Sequence, residues 1–227
     1  MPTIDCVLFD LDGTLADTTP DLAGALNRVR AEEGLPALPA SATRPVTSQG
    51  VRGLLRVGFA ISPEDAGYAV LSTRLLEHYA SEICVETTLF DEIPALLDEL
   101  DKRGLSWGIV TNKHSRFTIP LVSALGLSQR AACVVSGDTA ARPKPAPDPL
   151  LHASRTAGVA PARAIYVGDD IRDIEAGRAA GMRTYVAAWG YLGEGGNPSE
   201  WRADAILSHP RQLLETFPPL VESPLAL

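Results

Sequence analysis

Four short stretches hold the residues whose types and spacing can do chemistry together. "VLFDLDGTLADT", residues 7–18, closes an apolar run with Asp10 and Asp12, followed by Gly13 and Thr14. "IVTNK" brings Thr111, Asn112 and Lys113 to the end of a second run, and "RPKPAP" holds Lys144. "YVGDDIRD" places Asp169, Asp170 and Asp173 behind a third. Each stretch alone reads as a turn or a helix cap, because Asp, Gly, Asn and Thr are the usual turn residues. Jointly, Asp10, Asp169, Asp170 and Asp173 crowd negative charge, which is costly unless a cation balances it. Hard oxygen donors with no clustered His or Cys suit Mg²⁺. Lys144, Thr111 and the backbone N–H groups of the Gly13 turn supply donors for an anion. A phosphate bridged to the metal satisfies both halves. Carboxylates are established nucleophiles that carry phosphate as an acyl phosphate, and a metal with a lysine can neutralise the transferred group.

The elements that must position these residues follow from periodicity. Short apolar runs at 4–9, 106–111, 132–136, 164–168, 184–187 and 205–207 read as buried strands. Helical patterns separate most of them. Ile93, Leu96, Leu97 and Leu100 form one stripe, with Asp91 and Glu92 at the positive end of that helix. Alternating strands and helices imply an α/β fold with a mainly parallel sheet covered on both faces. In such sheets binding sites collect at the carboxyl ends of the strands, where all four polar clusters fall. Residues 18–82 break the alternation with helical stripes only, Leu22, Ala25, Leu26 and Val29 in one and Leu71, Leu75 and Tyr79 in another. The expected organisation is an α/β core from residues 1–17 and 83–227 and an inserted helical domain at 18–82, placed to act as a lid.

Bulk properties narrow the class. The 227 residues are 45% hydrophobic and 21% charged, with a formal net charge of −8. Scattered Lys and Arg argue against nucleic acid, which wants a clustered basic surface. No apolar run approaches the roughly 18 residues that span a bilayer, and the N-terminus lacks a signal-peptide pattern. A cytoplasmic protein without membrane partners is expected. Cys6, Cys84 and Cys133 show no metal spacing and are expected to be buried free thiols. His78, His114, His152 and His209 are dispersed, and Trp107 and Trp189 are expected to pack. "GYLGEGG" neither follows the first strand nor opens a helix, so it is not a dinucleotide loop. The tail "FPPLVESPLAL" is expected to be loosely held.

"DLDGT" at 10–14, "VTN" at 110–112, Lys144 in "RPKPAP" and "GDDIRD" at 168–173 resemble, in order and rough spacing, the four motifs of the haloacid dehalogenase superfamily. The resemblance covers essentially the whole chain. It implies a Rossmann-like core with an inserted α-helical cap of the C1 type, and a small phosphomonoester as the substrate. By similarity, Asp10 is the nucleophile, and Asp12 protonates the leaving oxygen and then activates water. Thr111 and Lys144 hold phosphoryl oxygens, with Gly13, Thr14 and Asn112 around the substrate. Mg²⁺ is expected on the Asp10 carboxylate, the Asp12 backbone carbonyl and Asp169, with Asp173 or Asp170 ordering metal-bound waters. Monomer and homodimer are both compatible with this.

"LFDLDGTLADT", "GIVTNKHSRF", "VGDDIRDIEAGRAAG" and "WGYLGEGGNPSEWRADAILSHP" are most similar to the phosphoglycolate phosphatases, and within them to the branch acting on N-acetylmuramic acid 6-phosphate in cell-wall recycling. Both substrates carry a carboxylate. Arg52, in "SQGVRGLL", is the expected clamp for it, and Arg116 the second candidate. Three other activities share parts of the pattern. A dehalogenase needs no acid at position 12, because halide leaves unprotonated. A phosphomutase keeps the phosphoryl group. A receiver-type phospho-acceptor is far shorter and has no helical insertion. Another sugar-phosphate phosphatase remains compatible.

Overall fold

Cys6–Phe9 (β1) is apolar at every position and buried on both faces, which places it at the centre of the sheet. The computed structural model describes residues 3–193 and 195–217; the tail at 218–227 lies outside them. Going along the chain, β2 is Ala16–Asp17, α1 Thr19–Glu32, α2 Ala40–Thr43, α3 Gly50–Phe59, α4 Tyr68–Ser81 and β3 Thr88–Leu89. Then follow α5 Ile93–Lys102, β4 Ser106–Val110, α6 Ser115–Ala124, β5 Val134–Val135, α7 Asp148–Thr156 and β6 Ala164–Gly168. The last elements are α8 Ile171–Ala179, β7 Arg183–Ala187 and β8 Ala205–Leu207. Six strands form one sheet in the order β5-β4-β1-β6-β7-β8, and every neighbouring pair is parallel. The six apolar runs are those six strands, the run at 132–136 shortened to two residues.

Alternation along β1 builds two cores. Val7 and Phe9 face one side with Ile93, Leu96, Leu97 and Leu100 of α5. Cys6 and Leu8 face the other with Leu150, Ala153 and Ala176 of α7 and α8, as successive strand side chains must. Burying each α5 side chain contributes roughly 2 kcal/mol, far above the few tenths expected from charge at a helix terminus. Packing therefore fixes α5. Glu92 makes no cap hydrogen bond and sits at φ 67°; its carboxylate meets the Nδ1 of His209 at 3.2 Å instead. Cys6 and Cys133 are buried, but Cys84 is only half-buried and donates its thiol to the Thr87 carbonyl.

The chain leaves β1 for β4 and β5 on one side, then crosses to β6, β7 and β8 on the other. This reversal makes β1, β4 and β6 the flanks of a topological switch point, the place where open α/β sheets bind ligands. Helices α1, α3 and α4 share a third apolar cluster, built on Leu26, Val29, Leu54, Leu55, Leu75 and Tyr79. Gly58 allows α3 to approach α1, since a Cβ there would lie 2.6 Å from a Leu26 methyl.

A feature absent from the periodicity ties this helical layer to the sheet. β2 pairs antiparallel with β3, joining the outgoing and returning chain in a ladder too short to leave a sequence pattern. Beside it, the 9% exposed Asp21 of α1 accepts backbone N–H bonds from Val85 at 3.0 Å, Glu86 at 3.0 Å and Thr87 at 2.9 Å. The Thr87 hydroxyl adds a fourth donor at 2.6 Å. Charge-assisted hydrogen bonds of this kind are the strong ones, and losing the acceptor leaves several amides unpaired. Asp21→Asn is expected to lower the unfolding free energy by roughly 3 kcal/mol, measured by urea denaturation. A loss below about 1 kcal/mol would mean the return segment is held by packing alone.

Candidate functional site

Lys144 approaches the carboxyl ends of β1 and β4 from the loop after β5. Its ammonium is buried and bonds Asp173 Oδ1 at 2.7 Å, the Tyr166 hydroxyl at 2.7 Å and the Val110 carbonyl at 3.1 Å. Asp10 Oδ1 lies 3.0 Å away on the other side. The loop that delivers Lys144 passes through a cis Lys144–Pro145 peptide. Asn112 holds it from β4, its amide donating to the Lys144 carbonyl at 2.9 Å and accepting from the Lys144 N–H at 2.9 Å. Asn112, expected beside the substrate, thus has its amide engaged in fixing the lysine.

Asp169 follows β6, and its two oxygens accept from the Thr14 hydroxyl at 3.0 Å and the Tyr191 N–H at 2.9 Å. Gly13 sits at φ 86°, where a Cβ would lie 2.2 Å from Asp169 Oδ2. Its N–H donates to the Ala16 carbonyl at 2.9 Å, and the Thr14 N–H to that of Leu11 at 3.4 Å. The donors expected to face an anion are therefore turned inward, and Gly13 and Thr14 act as the close support of Asp169. Thr111 is nearly fully buried and lines the main cavity with Asp10, Asp12 and Lys144.

One carboxylate oxygen each from Asp10, Asp169 and Asp173 lies within 4.8 Å of the others. Asp169 and Asp173 are buried and Asp10 half-buried, and the Lys144 ammonium contacts two of the three, Asp10 and Asp173. Burial pushes the Asp10 carboxyl up to about 6, against the pull of Lys144 and helped by Asp173 and Asp12. Burial likewise drives Asp169 well above the carboxylate range, with Asp10 and Asp173 adding to it. Lys144 goes the other way: burial opposes its charge, but Asp10 and Asp173 hold the ammonium above its usual value. Excess buried negative charge among hard oxygen donors is the environment that a divalent cation relieves. The residues present fit such an ion.

Asp12 stands apart from this cluster. Its Oδ1 accepts from the Thr18 hydroxyl at 2.6 Å and the Lys113 ammonium at 2.7 Å. Asp170 caps α8 in a reciprocal capping box with Asp173. It also holds Arg172 at 2.8 Å, and Arg172 reaches the Ser48 carbonyl of the helical layer at 2.7 Å. Asp170 thus engages an arginine and is not part of the carboxylate cluster. The cavity over the site has a volume of about 580 Å³. Its polar floor is closed by Leu22, Val51, Leu76 and Tyr79 of the helical layer and by Phe117 of α6. Arg52 is exposed and absent from the residues lining the cavity, whereas Arg116 and His114 line it.

The positions of Asp10, Asp169 and Asp173 match the motif order found in the sequence, and a broader comparison decides the family. The profile of the haloacid dehalogenase-like hydrolases matches residues 7–187. The chain belongs to that family. It is 42% identical over 207 residues to an N-acetylmuramic acid 6-phosphate phosphatase of Pseudomonas putida, covering 91% of this chain and 93% of that protein. It is 43% identical over 209 residues to a phosphoglycolate phosphatase of Xanthomonas campestris, covering 92% and 94%. Among solved structures, a predicted phosphoglycolate phosphatase from Haemophilus somnus shares the fold with a TM-score of 0.83 at 22% identity, covering 95% of this chain and 98% of that one.

Tyr191 is a site residue that the motifs did not reveal. Its hydroxyl accepts from the Thr18 and Thr19 N–H groups at 2.8 and 3.2 Å, while its own N–H holds Asp169. Gly190 before it leaves room for the Gly13 carbonyl, 2.2 Å from where a Cβ would stand. The glycines flanking Tyr191 in "GYLG" were the available signal. Trp189 donates to the Thr14 carbonyl at 2.9 Å and does not line the main cavity.

A buried acid whose pKa is raised from 3.8 to about 6 binds more protons folded than unfolded between those values. Its protonation favours the fold at low pH, and that contribution is lost as pH rises through the folded pKa. Asp10→Asn is therefore expected to stabilise the metal-free protein at pH 7.5, by on the order of 2 kcal/mol, with little gain at pH 4. Differential scanning calorimetry at both pH values measures this. A Tm at pH 7.5 that falls would show that the ion pair with Lys144 outweighs the burial of the charge.

Proposed function

We propose that the protein is a Mg²⁺-dependent phosphomonoester hydrolase acting through an aspartyl-phosphate on Asp10, with N-acetylmuramic acid 6-phosphate as the favoured substrate. The Lys144 ammonium lies 3.0 Å from Asp10 Oδ1, and a carboxylate oxygen of Asp10 is the attacking atom. It forms a bond to phosphorus as the ester P–O bond breaks, and Asp12 gives its proton to the leaving oxygen. Asp12 then takes a proton from water, which attacks phosphorus, releases inorganic phosphate and restores the Asp10 carboxylate. Lys144 and the Thr111 hydroxyl hold the phosphoryl oxygens throughout. Asp10, the Asp12 carbonyl, Asp169 and Asp173 would hold Mg²⁺, which when bound supplies charge neutralisation at the phosphoryl group. The helices at 18–82 act as the cap over this chemistry.

The observation that carries the substrate is the cavity. A volume of about 580 Å³ with a wall of Leu22, Val51, Leu76, Tyr79 and Phe117 falls in the range that holds an organic ligand of many atoms. An acylated amino sugar with a lactyl ether offers several apolar groups to such a wall; phosphoglycolate offers a single methylene. The similar identity to a named phosphoglycolate phosphatase supports 2-phosphoglycolate as the second substrate. Charge accounting selects the carboxylate clamp. Lys113, Lys144 and Arg172 each face an aspartate, and His114 faces Asp138 at 3.2 Å. Arg116 lies over the Phe117 ring at 4.3 Å and is the cavity-lining cation with no acidic partner among the described residues. Arg116 takes the role expected of Arg52.

With Mg²⁺, kcat/KM for N-acetylmuramic acid 6-phosphate is expected to exceed that for 2-phosphoglycolate by at least about tenfold; the reverse order would make the second substrate the first. Release of inorganic phosphate without a bisphosphate activator excludes a phosphomutase. Asp10→Asn is expected to lose more than about a thousandfold in kcat, and retained turnover would remove its role as nucleophile. Arg116→Ala is expected to raise KM about tenfold for N-acetylmuramic acid 6-phosphate but under about twofold for N-acetylglucosamine 6-phosphate, which lacks the carboxylate. Equal changes would dismiss the clamp.

A further inference from the structure

Lys113 is a buried cation that the reaction above does not use. Its backbone is fixed at both ends. The N–H donates to the Thr111 hydroxyl at 3.2 Å, and the carbonyl accepts from the Gly137 N–H and the Thr118 hydroxyl, each at 2.9 Å. Its ammonium meets Asp12 Oδ1 at 2.7 Å, with only 9% and 16% of the two side chains exposed. Burial opposes its charge, but Asp12 and Tyr79 hold the ammonium above its usual value. Thr18 donates to the same Oδ1, so both side-chain donors converge on one oxygen. On its other flank, Lys113 stands 4.8 Å from the centroid of the Tyr79 ring. Tyr79 belongs to α4, is 1% exposed, and packs against Phe117 with ring centroids 5.5 Å apart.

We propose that Lys113 is a positioning residue that seats Asp12 and makes that seating depend on the cap helix α4. By engaging Oδ1 together with Thr18, it turns Oδ2 toward the cavity as the atom that gives a proton to the leaving oxygen and later takes one from water. The Tyr79 face closes the flank of the ammonium away from Asp12, through a desolvated cation–π contact. When α4 is seated, Lys113 has one geometry that satisfies both partners. When α4 lifts, the ammonium gains solvent and Asp12 loses its fixed orientation. Proton transfer is thereby confined to the closed enzyme, where water other than the attacking molecule is excluded.

The role assigned to Lys113 rests on the phosphatase reading, and two esters separate the two. p-Nitrophenyl phosphate has a leaving group that needs no proton; a sugar phosphate has an alkoxide that does. For Lys113→Met, kcat on the sugar phosphate is expected to fall about a hundredfold with KM within about twofold. The single-turnover burst of p-nitrophenol should fall less than about threefold, while the phosphoenzyme, trapped by rapid quench, decays more slowly. Lys113→Arg is expected to recover part of that loss, and Tyr79→Phe, which keeps the ring, to retain more kcat than Tyr79→Leu. The double variant Lys113→Met with Tyr79→Leu should lose no more than Lys113→Met alone, because both act through one contact. Circular dichroism and Tm check that each variant is folded. Equal losses on both esters, additive losses in the double variant, or a raised KM with kcat intact would each overturn the proposal. A wild-type protein that hydrolyses neither ester would overturn the phosphatase reading and this role with it. A turning-over wild type matched by Lys113→Met would overturn this role alone.

Discussion

The buried ammonium of Lys144 is the interaction on which the rest of the site depends. It touches Asp10 from β1 and Asp173 from α8, with Tyr166 of β6 and the Val110 carbonyl of β4 completing its shell. Three separate parts of the chain, the end of β1, β4 and the β6–α8 unit, are held at one nitrogen. Removing the ammonium from such a buried arrangement leaves its carboxylates uncompensated, which is expensive. The sheet order explains why it can form at all. β1 lies between β4 and β6, so residues following these three strands meet above one crevice. The crowded carboxylates retain more negative charge than one lysine balances. That imbalance is the physical reason to expect a cation there.

The helical layer contributes the opposite chemistry. Its inner face is apolar, its outer connections are ionic, and its approach to the core is made through Lys113, Tyr79 and the Arg172 contact to Ser48. A charged end and an apolar end thus share one cavity. Polar groups on the sheet edge are preorganised by hydrogen bonds that do not depend on the substrate. On the proposed function, specificity falls to side chains such as Arg116, which lines the cavity and faces no acidic partner among the described residues.

Much of this was legible in the sequence, and for a reason that particular elements show. The stripe of Ile93, Leu96, Leu97 and Leu100 is fully buried, because a helix between sheet and solvent has one hydrophobic direction. Asp10, Asp169 and Asp173 converge because each closely follows a strand end, and strand ends in a parallel sheet share an edge. Other features had no such periodic signature. Tyr191 approaches Asp169 through a loop, the two-residue β2–β3 ladder is below the length at which alternation can be read, and Gly13 turned its amide inward to satisfy a tight turn. Arg52 was placed by its proximity to a helix start, but helical rotation carried it to the outside. A single residue's azimuth cannot be fixed by a neighbouring turn when the helix is only ten residues long.

Asp21 gives the helical layer a mechanical character. Its carboxylate gathers the amides of the returning chain at the root of α1, beside the ladder that joins β2 to β3. The outgoing and incoming legs are therefore clasped to each other before either reaches the sheet. Two independent tethers would let the layer slide, shear or twist over the crevice. As the proposed cap, a layer with clasped legs would swing about a common pivot, each of its residues keeping its distance from that pivot. In that proposed swing Tyr79 and Ser48, though far apart in sequence, would arrive at and leave the core on the same stroke.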